Sequence, residues 1–239
     1  MNLTRRRWIA DEVCGARAVL VGDHADHLIR VLRVRVGQEF DIVAGRAVYR
    51  ARVVSISDQR VEFELGEPLP ALPAAEITLV LAIIKFDRME WAIEKCTELG
   101  VARFIPLIAS RTDVHLVSSA GQRVERWRRI ARQAAEQSRR SSSPEIAAPM
   151  KFKDALALPG SLRMVLSESE NDSRLCDALK ADTASVDVAL AIGPEGGWTR
   201  REEEMFRGSG WIPASLGQTI LRTETAAIAA SAVVLAGLG

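Results

Sequence analysis

The amino-acid sequence predicts an α/β protein in two parts, a small β-barrel followed by a larger domain built on a parallel sheet. Three observations carry this. Gly66-Glu67-Pro68-Leu69-Pro70-Ala71-Leu72-Pro73 holds three closely spaced prolines, which suit neither a helix nor a central strand and make a stiff connector. Before it, apolar and polar residues alternate with period two; after it, apolar strand-like runs alternate with helical patterns, as in a parallel α/β sheet. The expected domains are residues 1–70 and 74–239, a division that suits a chain of 239 residues.

In the first part a short helix is expected over about 23–33. Strands follow at Glu39 to Ala44, Val48 to Ile56 and around Val61, Phe63 and Leu65, which alternate with Glu62 and Glu64. Gly45 and Asp58-Gln59 mark the turns. Past the prolines, Ile77 to Ile84 is almost continuously apolar, as for a strand covered on both faces. Arg88 to Leu99 places Met89, Ile93 and Cys96 along one side of a helix, with Gly100 positioned to end it. Further strands are expected at Arg103 to Ala109, Leu162 to Leu166, Val186 to Ile192 and Trp211 to Leu216. Thr199-Arg200-Arg201-Glu202 has the capping-box pattern that opens a helix, and Glu224 to Ala236 forms the last one.

The helix expected over about 122–140 is distinctive in charge. Val124, Trp127, Ile130 and Ala134 step by three or four and form its packed stripe. Seven arginines against two glutamates lie between Gly121 and Ser143, mostly off that stripe. A solvated face is the ordinary explanation of such a pattern. Close like charges on one helix repel, however, and an RNA backbone would supply the counter-charge. Arginine makes up 27 of the 32 basic residues; a GC-rich genome is enough to explain that bias, but not the clustering.

Composition excludes several classes. With 48% hydrophobic and 26% charged residues and a net charge of +1, the chain is ordinary for a globular protein. Ala226 to Gly239 is too short to span a bilayer, and the basic start Met1 to Trp8 lacks the apolar run of a secretory leader. Cys14, Cys96 and Cys176 are far apart with no C-x-x-C, and His24, His27 and His115 are scattered, so neither disulfides nor a metal site is expected. A cytoplasmic enzyme without metal or membrane partner fits.

The chemistry is expected where open parallel sheets bind ligands, at the carboxyl ends of the strands. Three loops fall there: Ser167-Glu168 after Leu166, Gly193-Pro194-Glu195-Gly196-Gly197-Trp198 after Ile192, and Gly217-Gln218-Thr219-Ile220-Leu221-Arg222-Thr223-Glu224-Thr225 after Leu216. Their glycines read as tight turns or as places of close backbone approach. Neither the dinucleotide nor the phosphate-loop glycine pattern is present, and no G-x-S-x-G nucleophile elbow appears.

These loops resemble those of the RsmE family of 16S rRNA uridine N3 methyltransferases, members of the SPOUT superfamily. The resemblance extends in order along nearly the whole chain: His27-Leu28-Ile29-Arg30-Val31-Leu32-Arg33 with Gly37, Lys85-Phe86-Asp87-Arg88-Met89-Glu90-Trp91, Lys95-Cys96-Thr97-Glu98-Leu99-Gly100-Val101, and Glu136-Gln137-Ser138 with Arg140 and Pro144-Glu145-Ile146. It implies a PUA-like barrel, then a trefoil-knotted SPOUT methyltransferase domain, in a homodimer that acts on 16S rRNA or the small ribosomal subunit. Thr219 stands where the family usually has arginine, and Arg139 to Ser143 replaces a Gly-Arg segment, so basic contacts at those two places do not carry over unchanged.

The implied cofactor is S-adenosylmethionine, held by Leu166, Ser167, Glu168, Gly193, Pro194, Glu195, Gly196, Gly197, Leu216, Gly217, Ile220, Leu221, Arg222 and Thr225. RNA contacts are expected from Arg5, Arg7, His27, Arg30, Arg33, Lys85, Arg129, Arg132, Gln137 and Arg140. Uracil N3 carries a proton at neutral pH, so methylation there needs a base or a cation that stabilises the developing oxygen charge. Arg222 is the expected cation, and Glu195 or Glu224 the expected base. A purely structural role, with Glu224 capping the last helix and Arg222 paired to it, is equally compatible with the sequence. Other open readings are a knotted methyltransferase for another RNA or base atom and a non-catalytic ribosome-assembly factor.

Overall fold

The computed structural model describes residues 7–45, 47–69, 76–170, 173–181 and 187–238. The chain forms two compact units, Met1–Pro73 with Ala135–Ser143, and Ala74–Ala134 with Pro144–Gly239.

The first unit holds β1 (Trp8–Ile9), β2 (Glu12–Cys14), β3 (Arg17–Val21), β4 (Glu39–Ala44), β5 (Ala47–Ser57) and β6 (Arg60–Pro68), in spatial order β1-β4-β5-β6-β3-β2. This half-barrel buries Trp8, Leu20, Leu28, Ile42 and Phe63. The expected single helix is instead α1 (Gly22–Asp26) followed by a π-helical turn at His27–Val31, in which the Leu32 amide donates to the His27 carbonyl at 3.1 Å. That turn keeps Leu28 in the core while Val31 is exposed.

Strand β6 runs into the expected connector and ends at Pro68, which pairs with Tyr49. Strand β3 pairs with β6 as far as Glu64 and the Leu65 amide still donates to the Ala16 carbonyl at 2.8 Å; past that point no strand among the described residues pairs with this side of β6, so a proline costs no ladder bond. Gly66 is required there, because a Cβ would lie 2.6 Å from the Arg50 carbonyl oxygen. The rest of the connector, from Pro70 to Pro73, lies outside the described residues.

The second unit is a parallel sheet of β7 (Glu76–Ala82), β8 (Arg103–Ile108), β9 (Glu145–Ile146), β10 (Met150–Lys151), β11 (Leu162–Leu166), β12 (Asp187–Ile192) and β13 (Ile212–Ala214). The order is β10-β8-β7-β12-β11-β13, with β9 on β8. The helices are α2 (Phe86–Glu98), α3 (Val114–Gln137), α4 (Phe152–Ala155), α5 (Leu175–Ala181), α6 (Arg200–Gly208) and α7 (Thr223–Leu238). Alternation along each strand fills both faces. Leu79, Leu81, Met164 and Leu190 pack with Met89, Ile93, Trp127 and Val234 of the helices, while Val80, Ala82, Val165 and Ala189 pack with Trp198, Phe206 and Trp211. The nearly unbroken apolar run over 77–84 follows from this two-sided burial.

Helix α3 begins earlier than its apolar stripe suggests because Asp113 caps it, accepting the His115 amide at 2.8 Å. Its last residues, with the segment to Ser143, belong to the first unit. There the fully buried Glu136 accepts the Ile9 amide at 3.3 Å and pairs with His24 Nε2 at 3.3 Å. After edge strand β13 the chain returns to the middle of the sheet, and α7 packs against α2, α5 and β7. No helix among the described residues is long and apolar enough to cross a membrane.

Candidate active site

Strands β12, β11 and β13 are neighbours, so the loops that follow them meet at one edge of the sheet. They surround a cavity of ≈ 310 Å³, at the small end of ligand-site volumes, which run from roughly 300 Å³ upward. The first loop contributes Leu166, Ser167 and Glu168, the second Gly193, Pro194, Gly196 and Gly197, and the third Leu216, Gly217, Ile220 and Leu221. Glu195, Arg222 and Thr225 stand outside the lining.

Several contacts hold these loops in place. Trp198 Nε1 donates to the Leu166 carbonyl at 2.8 Å, and Thr223 Oγ1 to the Gly193 carbonyl at 3.1 Å. Arg111, after β8, donates to the carbonyls of Gly196 and Trp198. Gly197 has φ +68, the left-handed backbone that lets the loop reverse before α6.

At the start of α6 the expected capping box is formed: Thr199 Oγ1 accepts the Glu202 amide at 3.2 Å, and Glu202 Oε2 accepts the Thr199 amide at 2.8 Å. The other oxygen of Glu202 accepts the Ser110 amide at 2.8 Å, which joins α6 to the Arg111 loop. Burial alone would raise the Glu202 carboxyl; the hydrogen bonds from Ser110 and Thr199 outweigh it and hold the group below the usual carboxylate range.

The cavity suits S-adenosylmethionine. Leu166, Ile192, Leu216 and Ala226 give it an apolar wall for an adenine. Ile220 lines it with 78% of its surface exposed, so a flat ring seated there would bury it. Polar groups stand around that wall. Glu203 Oε1 accepts from the hydroxyls of Ser167 at 2.5 Å and Ser169 at 2.9 Å. Among the described residues, no three His, Cys, Asp or Glu side chains gather as a metal centre requires.

Beside the cavity, the three candidate reacting groups are arranged differently from the sequence expectation. Arg222 is exposed and forms no ion pair among the described residues, while Glu224 is buried and faces Arg88. The pairing of Arg222 with Glu224 is therefore replaced. Arg88, in the first turn of α2, lies 2.6 Å from Glu195 Oε1 through Nη1 and 3.7 Å from Glu224 Oε1 through Nε.

The RNA candidates fall on both units. On the first, Arg30 and Arg33 are exposed, with Arg30 Nε 3.7 Å from Asp26, while His27 is half-buried with its ring centroid 5.7 Å from that of Trp8. Arg7 donates to the Arg139 carbonyl, Gln137 is exposed, and half-buried Arg140 has its pKa pulled down by desolvation to about 10. Arg5 lies outside the described residues. On the second unit, Lys85 and Arg129 are exposed and Arg132 is half-buried. Part of the arginine charge on α3 is answered internally, since Arg126 makes a two-pronged pair with Glu90 at 2.6 and 2.8 Å, and Arg128 pairs with Glu125 at 2.5 Å.

Sequence reasoning missed Arg88, Arg111 and Glu203 as site residues. Arg88 lies inside the Lys85–Trp91 motif, where only Lys85 was singled out. Arg111 and Glu203 carry no local signal, because their roles depend on strand order.

An RNA methyltransferase domain family matches residues 70–235, and an RNA methyltransferase PUA domain family matches residues 22–66. Ribosomal RNA small subunit methyltransferase E of Synechocystis sp. is 34% identical over 90% of this chain and 72% of its own. The protein of the same name from Bacillus subtilis is 31% identical over 87% of this chain and 85% of its own. Among solved structures, ribosomal RNA small subunit methyltransferase E from Neisseria gonorrhoeae, bound to S-adenosyl methionine, superposes with a TM-score of 0.83 at 31% identity and covers 95% of each chain. Matched along both its units, the chain belongs to the ribosomal RNA small subunit methyltransferase E family of RNA methyltransferases.

Proposed function

We propose that this protein transfers a methyl group from S-adenosylmethionine to N3 of a uridine in the 16S rRNA of the small ribosomal subunit. The observation that carries the proposal is the cavity at the ends of β11, β12 and β13, apolar on one wall and polar around it, with two carboxylates and an arginine clustered beside it. When bound, S-adenosylmethionine supplies an electrophilic methyl carried on a sulfonium sulfur.

The residues of the three loops position that methyl, and positioning supplies a large share of the rate in a displacement of this kind. Leu166, Leu216 and Leu221 hold the apolar part, and the backbone of Gly193, Gly196 and Ile220 approaches the rest. Uracil must be unstacked and unpaired to expose N3. Its proton passes to a carboxylate of the cluster, and exposed Arg222 meets the charge that develops on a uracil oxygen. Arg30, Arg33, Lys85, Arg129 and the other basic candidates hold the RNA through its phosphates.

The partners are 16S rRNA or the assembled small subunit, in the bacterial cytoplasm, and a second copy of this chain. Exposed Trp91 on α2 and Leu235 on the adjoining α7 offer that copy an apolar surface.

The test combines labelled S-adenosylmethionine with small subunits or protein-free 16S rRNA, followed by reverse transcription. An N3 methyl blocks pairing, so label with one sharp stop is the expected result. Label without a stop moves the reaction to another atom. Cofactor binding without label on either substrate moves it to another RNA.

A further inference from the structure

The geometry points to Arg88 as a positioning residue for the methyl transfer, oriented by Glu224 and in turn holding Glu195 as the proton acceptor; this rests on the reaction proposed above. The two glutamates differ in access. The Glu195 side chain is 43% exposed at the tip of its loop, whereas that of Glu224 is 5% exposed at the start of α7. A nucleotide can reach the first but not the second.

Arg88 stands between them, with Nη1 in a charge-assisted contact of 2.6 Å to Glu195 and Nε 3.7 Å from Glu224. The three side chains come from the start of α2, the loop after β12 and the start of α7, so one guanidinium ties together three separate parts of the same unit. The flat, rigid donor fork of arginine allows this where a lysine would supply only a point charge.

Glu224 supplies the second observation. Its Oε2 is buried and has no hydrogen-bond partner among the described residues. An unsatisfied carboxylate oxygen in the interior is costly. The buried charge makes sense as the anchor that fixes where the guanidinium sits. With Arg88 fixed, Glu195 is confined to one place beside the cavity. There it accepts the proton that leaves uracil N3 as the nitrogen bonds to the methyl carbon; the methyl–sulfur bond breaks, and its electron pair stays on sulfur.

The test measures steady-state methylation of 16S rRNA and, separately, cofactor affinity by calorimetry. Arg88→Ala is expected to lower kcat by about 10²-fold, the scale of a misplaced reacting group, with KM for RNA and cofactor affinity unchanged. Arg88→Lys should recover part of the loss, since it keeps the charge but not the fork. Glu224→Gln should also slow kcat, and adding it to Arg88→Ala should cost nothing more, because the groups act as one unit. Unchanged kcat in Arg88→Ala, a loss confined to KM or cofactor affinity, or independent multiplication of the two losses would each overturn the assignment. Should Arg88→Ala fail to fold, Arg88→Lys and Glu224→Gln decide the matter, and normal kcat in both overturns it. A wild-type protein that methylates no 16S rRNA refutes both the reaction and this role, whereas an active wild type with indifferent variants refutes only the role.

Discussion

Cys96 faces Ser231 in the core of the second unit, with the serine hydroxyl 3.7 Å from the sulfur. Burial pushes its thiol from 9.0 up to about 12, against the opposing pull of Ser231. A thiol whose folded pKa lies above its unfolded value stabilises the fold fully below the unfolded value and loses that contribution as pH rises toward the folded one. This protein is therefore expected to lose stability between about pH 9 and 12 on account of Cys96. At pH 8 a thiol reagent should modify exposed Cys14 and Cys176 in the native protein, and Cys96 only on unfolding; three equal rates would contradict the buried placement. The sequence shows Cys96 on the apolar stripe of its helix with Met89 and Ile93, so its burial is legible there. The arrangement of Arg88 with Glu195 and Glu224 is not, because the three residues meet only once β7, β12 and α7 are brought side by side.

At the scale of elements, periodicity identifies what packs and leaves open what the exposed side does. The stripe of Val124, Trp127, Ile130 and Ala134 is legible on α3, where Val124, Trp127 and Ala134 are buried and Ile130 is half-buried. The arginines are a different matter. Sequence alone treats them as one cluster, yet Arg126 and Arg128 are neutralised by Glu90 and Glu125 while Arg129 is exposed and makes no ion pair among the described residues. The Glu90 partner lies on another helix, so no spacing rule within α3 reveals it. Against single-stranded RNA, Arg129→Ala should flatten the salt dependence of binding by about 0.7 in logarithmic slope, the share of one phosphate contact. Arg126→Ala should change it less, and neither should alter cofactor affinity. Equal slopes for wild type and Arg129→Ala would show that this face of α3 is only solvated. The short strands β1 and β2 are illegible for a related reason, since two or three residues carry too little alternation to read, and in five-residue β3 Ala18, Val19 and Leu20 are all buried, so no alternation shows.

For the whole molecule, the division into a β unit and a parallel α/β unit follows from local chemistry: period-two alternation, a proline-rich segment, then two-sided burial. Strand order does not. Neighbours β12 and β7 are far apart in sequence, and the return of the chain from edge strand β13 to α7 beside α2 has no local signature. The knotted topology comes from family resemblance, because short unthreaded connections are the rule that a reading from residues alone must follow. Nor does local chemistry show that Ala135–Ser143 joins the first unit, although buried Glu136 with His24 and the Ile9 amide explains why it does so.

In the proposed reaction the cluster beside the cavity places a methyl group on uracil N3. The most direct measurement is mass spectrometry of the nucleosides released from 16S rRNA after incubation with the protein and S-adenosylmethionine. The expected product is 3-methyluridine, absent when the protein is omitted. Methylation appearing on a ribose hydroxyl or on another base atom, with the cofactor bound and the RNA engaged, would contradict it.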